Sequence, residues 1–334
     1  ESPGALKVIP GIRPVANLED VVGSGFEEAR EFIEQIDSSN QWADLFIATS
    51  PSKKTDKTNV LLIGPQGCGK TEVLRGVTNR KGIVSVFAQA SDFLTCWKGE
   101  MEKNPKRLFE AGLELHKESD RNVYFLIDEI DTILNSNTSQ YSFGGTNLSS
   151  EFQVLMDGIA SYAGLAVWGA TNHPDRLPTP ILRRFAKVLI VGELNQADRI
   201  KLLQRFCGYM PISTEVNDQV WEDVATKLDG AVGDVIRKVV DHLWRVKMNW
   251  FVQNHKKEGQ RIIEELNKIN KFDVSKFSPQ DRNGLIERLR PYMSIQPADL
   301  ISSVDSHLNN LAIRREIEVC KATYDGAREF IAAL

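Results

Sequence analysis

Cysteine is scarce and badly placed for cross-linking. The 334-residue chain has four, Cys68, Cys96, Cys207 and Cys320, and no two share a C-x-x-C spacing. That excludes a disulfide framework and a zinc finger, so a reducing, cytoplasmic setting is expected. Histidine is nearly as rare. None of His116, His173, His242, His255 and His307 is followed by Glu. The chain therefore has no H-E-x-x-H of a zinc peptidase, and any peptidase partner would be a separate chain. No apolar run approaches the roughly 18 residues of a membrane span, and no signal-peptide pattern is present. Neither charge dominates: 41 basic residues against 45 acidic give a net charge of −4. That balance argues against a polyanion binder held by bulk charge. There is no internal repeat and no low-complexity tract.

What is present is ordinary globular composition, 42% hydrophobic and 26% charged. At roughly 150 residues per domain the length suggests about two domains. The chain opens at Glu1 rather than Met, as a processed or excised piece would. That leaves room for an N-terminal domain or an anchor ahead of it.

Residues 1–17 carry Pro and Gly with little period and read as a linker or arm. Phe26, Ala29, Ile33 and Ile36 then mark a helix. A second apolar stretch, Trp42 to Ile47, follows. Five short apolar runs come next: Val60 to Ile63, Ile83 to Phe87, Val123 to Ile127, Leu165 to Trp168 and Val188 to Val191. Such runs are the mark of strands buried on both faces. Helical periods between them, Lys103 to Lys117 and Ser150 to Met156, indicate a parallel sheet covered by helices. The fold class is therefore α/β, a five-stranded parallel sheet sandwiched by helices. After Gly192 only helical period is left, which places a boundary between residues 18–192 and a helical region 193–334. Residues 245–290, rich in Lys, Asn and Gln, read as an insertion there.

Gly64-Pro65-Gln66-Gly67-Cys68-Gly69-Lys70-Thr71 fits G-x-x-x-x-G-K-[ST] in full, between an apolar strand and a helical stretch. The glycines let backbone N–H groups curl around phosphates, and the helix N-terminus adds positive potential. Lys70 can reach the β- and γ-phosphates, and the Thr71 hydroxyl can ligate Mg²⁺. Cys68 fills the loop without a required side-chain role. Asp128-Glu129 follows the third apolar run. There Asp128 would hold Mg²⁺ through water and Glu129 would polarise the attacking water. Asp131 reads as structural. Asn172, after the fourth run, offers an amide at a strand tip, on its own a weak signal. Arg183 and Arg184 can steady charge on a transferring phosphoryl group, although an arginine pair in isolation is more often a solvated face.

Together these segments resemble the AAA family of ATPases in the narrow sense. Leu18 to Gly23 is similar to the family's opening segment, which implies that Asp20 and Val22 lie beside adenine. Ile127 to Asp131 matches the family's Walker B form, and Leu155-Met156-Asp157-Gly158 the helix end before the fourth strand. Gly169 to Asn172 matches sensor 1. Arg183 and Arg184 fall where the arginine fingers lie. Many members separate these two with Pro-Gly; here they are adjacent, so which one reaches a neighbour's phosphate stays open. Asp198-Arg199 and Ile295 to Val304 resemble the helical lid. Gly230 to Asp234 resembles the lid's nucleotide-contacting turn without being a clean copy. Arg237 beyond it is either a second sensor or a packing residue.

Cys96-Trp97-Lys98-Gly99-Glu100 is similar to the family's pore loop 1, with Trp97 and Lys98 at the gripping positions. A flat ring holds an extended peptide without reading its sequence, and Gly99 permits the tight turn that projects it. The alternative is a core tryptophan. Residues 136–147 fall where a second pore loop would lie. The resemblance implies an Mg-ATP-dependent homohexamer that remodels, unfolds or threads polypeptide, with a separate adaptor or protease as partner. The rival class is a nucleic-acid motor or loader, against which stand the acidic balance and the aromatic pore position. A non-enzymatic nucleotide-binding scaffold is opposed by the intact Lys70, Asp128 and Glu129.

Overall fold

A computed structural model describes residues 22–41, 58–78, 83–89, 103–119, 121–134, 148–159, 164–270 and 278–334. The arm 1–17, the stretch Trp42 to Ile47, Asp20, the segment around Trp97, Lys98 and Gly99, and residues 136–147 lie outside them. The chain divides into two compact units, one up to Glu193 together with Ala322–Leu334, the other Leu194–Lys321.

The first unit is built on five parallel strands: β1 (Val60–Ile63), β2 (Ile83–Gln89), β3 (Asn122–Asp128), β4 (Leu165–Thr171) and β5 (Lys187–Ile190), in the order β2-β3-β4-β1-β5. Between their ends the three central strands are apolar because both their faces are covered. All of Val60 to Ile63 and all of Leu165 to Thr171 are buried. Each Val, Leu or Ile among them contributes on the order of 1.5–3 kcal/mol relative to an exposed one. Odd-numbered β3 residues Val123, Phe125 and Ile127 join Leu61, Ile63, Leu165 and Val167 in one core cluster with Phe152 and Leu155 from the helix Leu148–Ile159. Alternation sends Tyr124 and Trp168 to the opposite face, where their rings stack with centroids 6.3 Å apart.

The strand order brings three strand ends together. β4 comes after β3 in sequence but sits between β3 and β1, with Ile127 beside Gly169 and Ile63 beside Thr171. The carboxyl ends of β1, β3 and β4 therefore open side by side. In open α/β sheets ligands bind at such ends.

The second unit is helical. The helices Gln196–Cys207, Asp218–Lys227, Gly233–Asn254 and Pro297–Leu308 pack together, and a parallel bridge from Ile212 to Ile295 ties its loops. Asn195 and Asp198 form a reciprocal capping box at the first helix. Arg199 is buried and acts as a staple: it donates to the carbonyls of Ala225 and Leu194 and pairs with Asp229 at 3.3 Å. The Lys- and Asn-rich stretch holds two helices, Lys256–Asn270 and Pro279–Leu289. They close a satellite core of Phe251, Ile262, Leu289 and Met293 against Trp244 and Met248 of the long helix. Arg237 is exposed and lies over the Phe206 ring, 5.4 Å from its centroid.

Candidate functional site

The loop after β1 is shaped by backbone that side chains would obstruct. Gly67 and Gly69 take φ of 75° and 101°, the left-handed region in which a Cβ is strained. Successive N–H groups in such a turn face inward and form an anion nest. The helix Lys70–Thr78 begins directly after it, so its N-terminal N–H groups point the same way.

Lys70 is buried at 7% exposure, which an ammonium tolerates only when fully partnered. Its Nζ donates to the carbonyls of Gly64 at 2.8 Å and Pro65 at 2.7 Å, and to Asn172 Oδ1 at 2.5 Å. The Cys68 thiol lies 3.7 Å from the same nitrogen. Burial raises the Cys68 pKa, and Lys70 works against that shift without cancelling it. The thiol is protonated at neutral pH, in keeping with a packing role. Thr71 Oγ1 donates to Asp128 Oδ2 at 2.7 Å. A hydroxyl and a carboxylate oxygen this close are a donor set that suits a small hard cation such as Mg²⁺.

Glu129 is exposed and follows Asp128 in an unusual conformation. Its φ is 54°, the only positive value at a non-glycine among the described residues. Its N–H donates to Asp128 Oδ1 at 3.0 Å and its carbonyl accepts from Thr132 N. The turn ends β3 and sets Glu129 directly after the strand's carboxyl end. Backbone held in this region costs on the order of 1–3 kcal/mol and is often found where function requires it.

Asp131 is buried at 5%. It accepts from Thr171 Oγ1 at 2.6 Å and pairs with Arg176 at 3.8 Å, while Thr171 Oγ1 accepts from His173 N. These bonds bracket Asn172 on both sides and fix the amide that meets Lys70. Arg184 is held by partners in its own chain. It forks onto Asp157 with bonds of 2.8 and 2.6 Å and donates to Pro180 O. Arg183 beside it is exposed.

Three further groups hold the site, and none stands in a motif. Asn59, buried at 2%, donates to Arg184 O and accepts from Val167 N, so one amide ties β1, β4 and the arginine turn. Ser24 exchanges bonds with Gly192 and Glu193, which brings the opening segment near Val22 alongside the exit of β5. Gly192 takes φ of 82°, and a Cβ there would stand 2.1 Å from Cys68 O. Gly192→Ala is therefore expected to cost about 1–3 kcal/mol and to push the loop out of shape. A lowered melting temperature together with weaker nucleotide binding checks this; a variant that binds nucleotide normally would contradict it.

The sequence-predicted residues Gly64 to Thr71, Asp128, Glu129 and Asn172 thus converge on three adjacent strand ends. Asp20, Trp97, Lys98 and Gly99 lie outside the described residues.

Residues 60–193 match the family described as ATPase family associated with various cellular activities (AAA). Over 267 residues the chain is 33% identical to cell division protein C of Sulfolobus acidocaldarius, covering 79% of this chain and 69% of that protein. It is 29% identical over 233 residues to vacuolar protein sorting-associated protein 4 of Dictyostelium discoideum, with 68% and 49% covered. It is 28% identical over 182 residues to the outer mitochondrial transmembrane helix translocase of Danio rerio, with 54% and 46% covered. The chain therefore spans about two thirds of the first relative and less than half of the other two.

Proposed function

The chain belongs to the AAA family of ATPases and hydrolyses ATP, and from that premise we propose that it works as a homohexameric, Mg-ATP-driven ring that remodels or threads polypeptide. The observation that carries the chemistry is the convergence of Lys70, Asn172, Thr71 and Asp128 on the ends of β1, β4 and β3. In this reading the 64–71 loop cradles the phosphates, and Lys70 turns from its carbonyl partners to the β- and γ-phosphates. Thr71 and Asp128 would hold Mg²⁺, which when bound would supply neutralising charge to the phosphate oxygens. Glu129 accepts the proton of the attacking water, and Asn172 fixes that water or the γ-phosphate. Asp20 and Val22 lie against the adenine. Arg183 and Arg184 complete the site of a neighbouring copy, which makes a closed ring the working form.

The polypeptide substrate is supported by Trp97-Lys98-Gly99 and by the acidic charge balance. A relative named for translocating a transmembrane helix acts on polypeptide, which supports the same class of substrate here. Among the described residues no helix is long and apolar enough to cross a membrane. We place the protein in the cytoplasm, with a separate adaptor or protease to select or receive its substrate.

The test uses position 97. Trp97→Ala is expected to keep ATPase activity within a few-fold of wild type and to lose unfolding of a tagged protein, while Trp97→Tyr retains much of it. A photoreactive group at 97 should crosslink an unstructured polypeptide and not single-stranded DNA. Crosslinks to DNA alone would move the protein to the nucleic-acid motors. A fall in melting temperature and ATPase together would return Trp97 to the core, where truncation costs about 3–5 kcal/mol.

A further inference from the structure

The last helix, Leu311–Ala333, carries a stripe of buried residues at helical spacing: Ile313, Ile317, Cys320, Tyr324 and Ala327. Apolar contact explains four of them. Tyr324 is different, because its hydroxyl goes into the interior with the ring at only 4% exposure. A buried hydroxyl is retained where it meets a partner, and here the groups it meets belong to the nucleotide site. Tyr324 Oη donates to Val191 O at 3.3 Å and stands near the Cys68 thiol, on which it exerts a small pKa-lowering effect.

Those two groups are the points at which the phosphate loop rests on the sheet. A Cβ on Gly64 would come within 2.7 Å of Val191 O and 2.8 Å of Cys68 Sγ, so the backbone at 191 and the loop at 64–68 are already in close contact. Val191 N donates to Ile63 O, at the residue before the loop begins. One turn further along the helix, Arg328 pairs with Glu193, whose own N–H is held by Ser24. Ala327 and Phe330 meanwhile pack into the apolar cluster beneath the sheet. The helix end is thus anchored by apolar contact and reaches the loop through one hydroxyl.

We propose that Tyr324 is a positioning residue for the phosphate loop, so that nucleotide affinity depends on the polar contacts that Tyr324 and Arg328 make with Val191 and Glu193 and not on the apolar packing of the helix. It touches no phosphate; it sets the height of Val191 and Cys68 against Gly64, and through them the direction of the loop N–H groups. This rests on the reading of the 64–71 loop as a nucleotide site. Removing the hydroxyl leaves Val191 O without that contact and lets the loop relax away from its anion-binding shape.

The experiment is a nucleotide titration with a fluorescent ADP analogue on the full chain, run beside thermal melts and steady-state ATPase assays. Tyr324→Phe should raise Kd and the KM for ATP about three- to tenfold, the scale of one hydrogen bond, with kcat at saturation little changed. Phe330→Ala is the control. It loosens the same helix without touching the loop, and should lower the melting temperature while leaving Kd alone. Tyr324→Phe binding like wild type would overturn the proposal. So would a rise in Kd that Phe330→Ala reproduces at equal loss of stability. Should Tyr324→Phe not fold, Arg328→Ala decides: it breaks the exposed pair to Glu193, and an unchanged Kd counts against the proposal. Lys70→Ala separates the two levels. Loss of binding there with an unaffected Tyr324→Phe defeats only the positioning role, whereas normal binding by Lys70→Ala defeats the site itself.

Discussion

Glu129→Gln is expected to give a protein that binds ATP and barely turns it over. The amide keeps the size of the carboxylate and the turn at φ 54°, and leaves Lys70, Thr71 and Asp128 in place. It cannot take a proton from water. General-base catalysis of this kind is worth about a hundred- to ten-thousand-fold, so the steady-state rate should fall by that factor. Binding of a fluorescent nucleotide should change little. Lys70→Ala should show the reverse order of effects, with affinity lost first, because the buried ammonium is the main positive charge in the loop. Phosphate release measured at saturating Mg-ATP checks both. Wild-type turnover by Glu129→Gln would show that another group polarises the water.

The second large effect concerns Arg183 and Arg184. Arginine fingers contribute about 10³–10⁵ in rate where they act. Replacing either with Ala should therefore cut turnover by at least about a hundredfold while each subunit's own nucleotide binding survives. The fork from Asp157 and the Pro180 carbonyl already fixes the direction of the Arg184 guanidinium. Those donors are committed to Asp157 and Pro180, so Arg184 has to leave these partners before it can meet a neighbour's phosphate. Specific activity of the wild-type chain should also rise with protein concentration, since a diluted subunit lacks the neighbour that completes its site. A rate per subunit that stays flat on dilution to monomer, measured alongside sedimentation, would contradict a shared site.

The fold class was legible in the amino-acid sequence, and the reason is physical. Strands buried on both faces have to be apolar throughout, so Val60 to Ile63 and Val123 to Ile127 could be read directly. The tight turn after β1 was legible because Gly67 and Gly69 take left-handed backbone that a side chain would strain. The strand order was not, since nothing in a single chain says that β4 inserts between β3 and β1. The 2.5 Å bond from Lys70 to Asn172, residues 102 positions apart, follows from that order and was hidden with it. Asn59 stood in no motif, and one buried amide looks like any other polar residue beside a strand. The helix Pro279–Leu289 was masked by the Lys- and Asn-rich composition of the stretch before it. Its signal was local: Ser278 caps it, Pro279 occupies the first turn and Asp281 completes the capping box. Tyr324 could be placed on a helix, but the return of Ala322–Leu334 to the first unit is a long-range event that periodicity does not encode.

The central claim is that one ATP site is built from two copies of the chain, and mixing two inactive proteins tests it most directly. Glu129→Gln subunits lack the base but carry intact arginines. Subunits with Arg183→Ala and Arg184→Ala lack the fingers but keep Glu129. In a randomly mixed ring about one interface in four then pairs a working base with a working arginine pair. The mixture should hydrolyse ATP well above either parent alone, with a maximum near equal proportions. Activity that never exceeds the weighted sum of the two parents would place base and arginines in the same subunit's site and end the ring account.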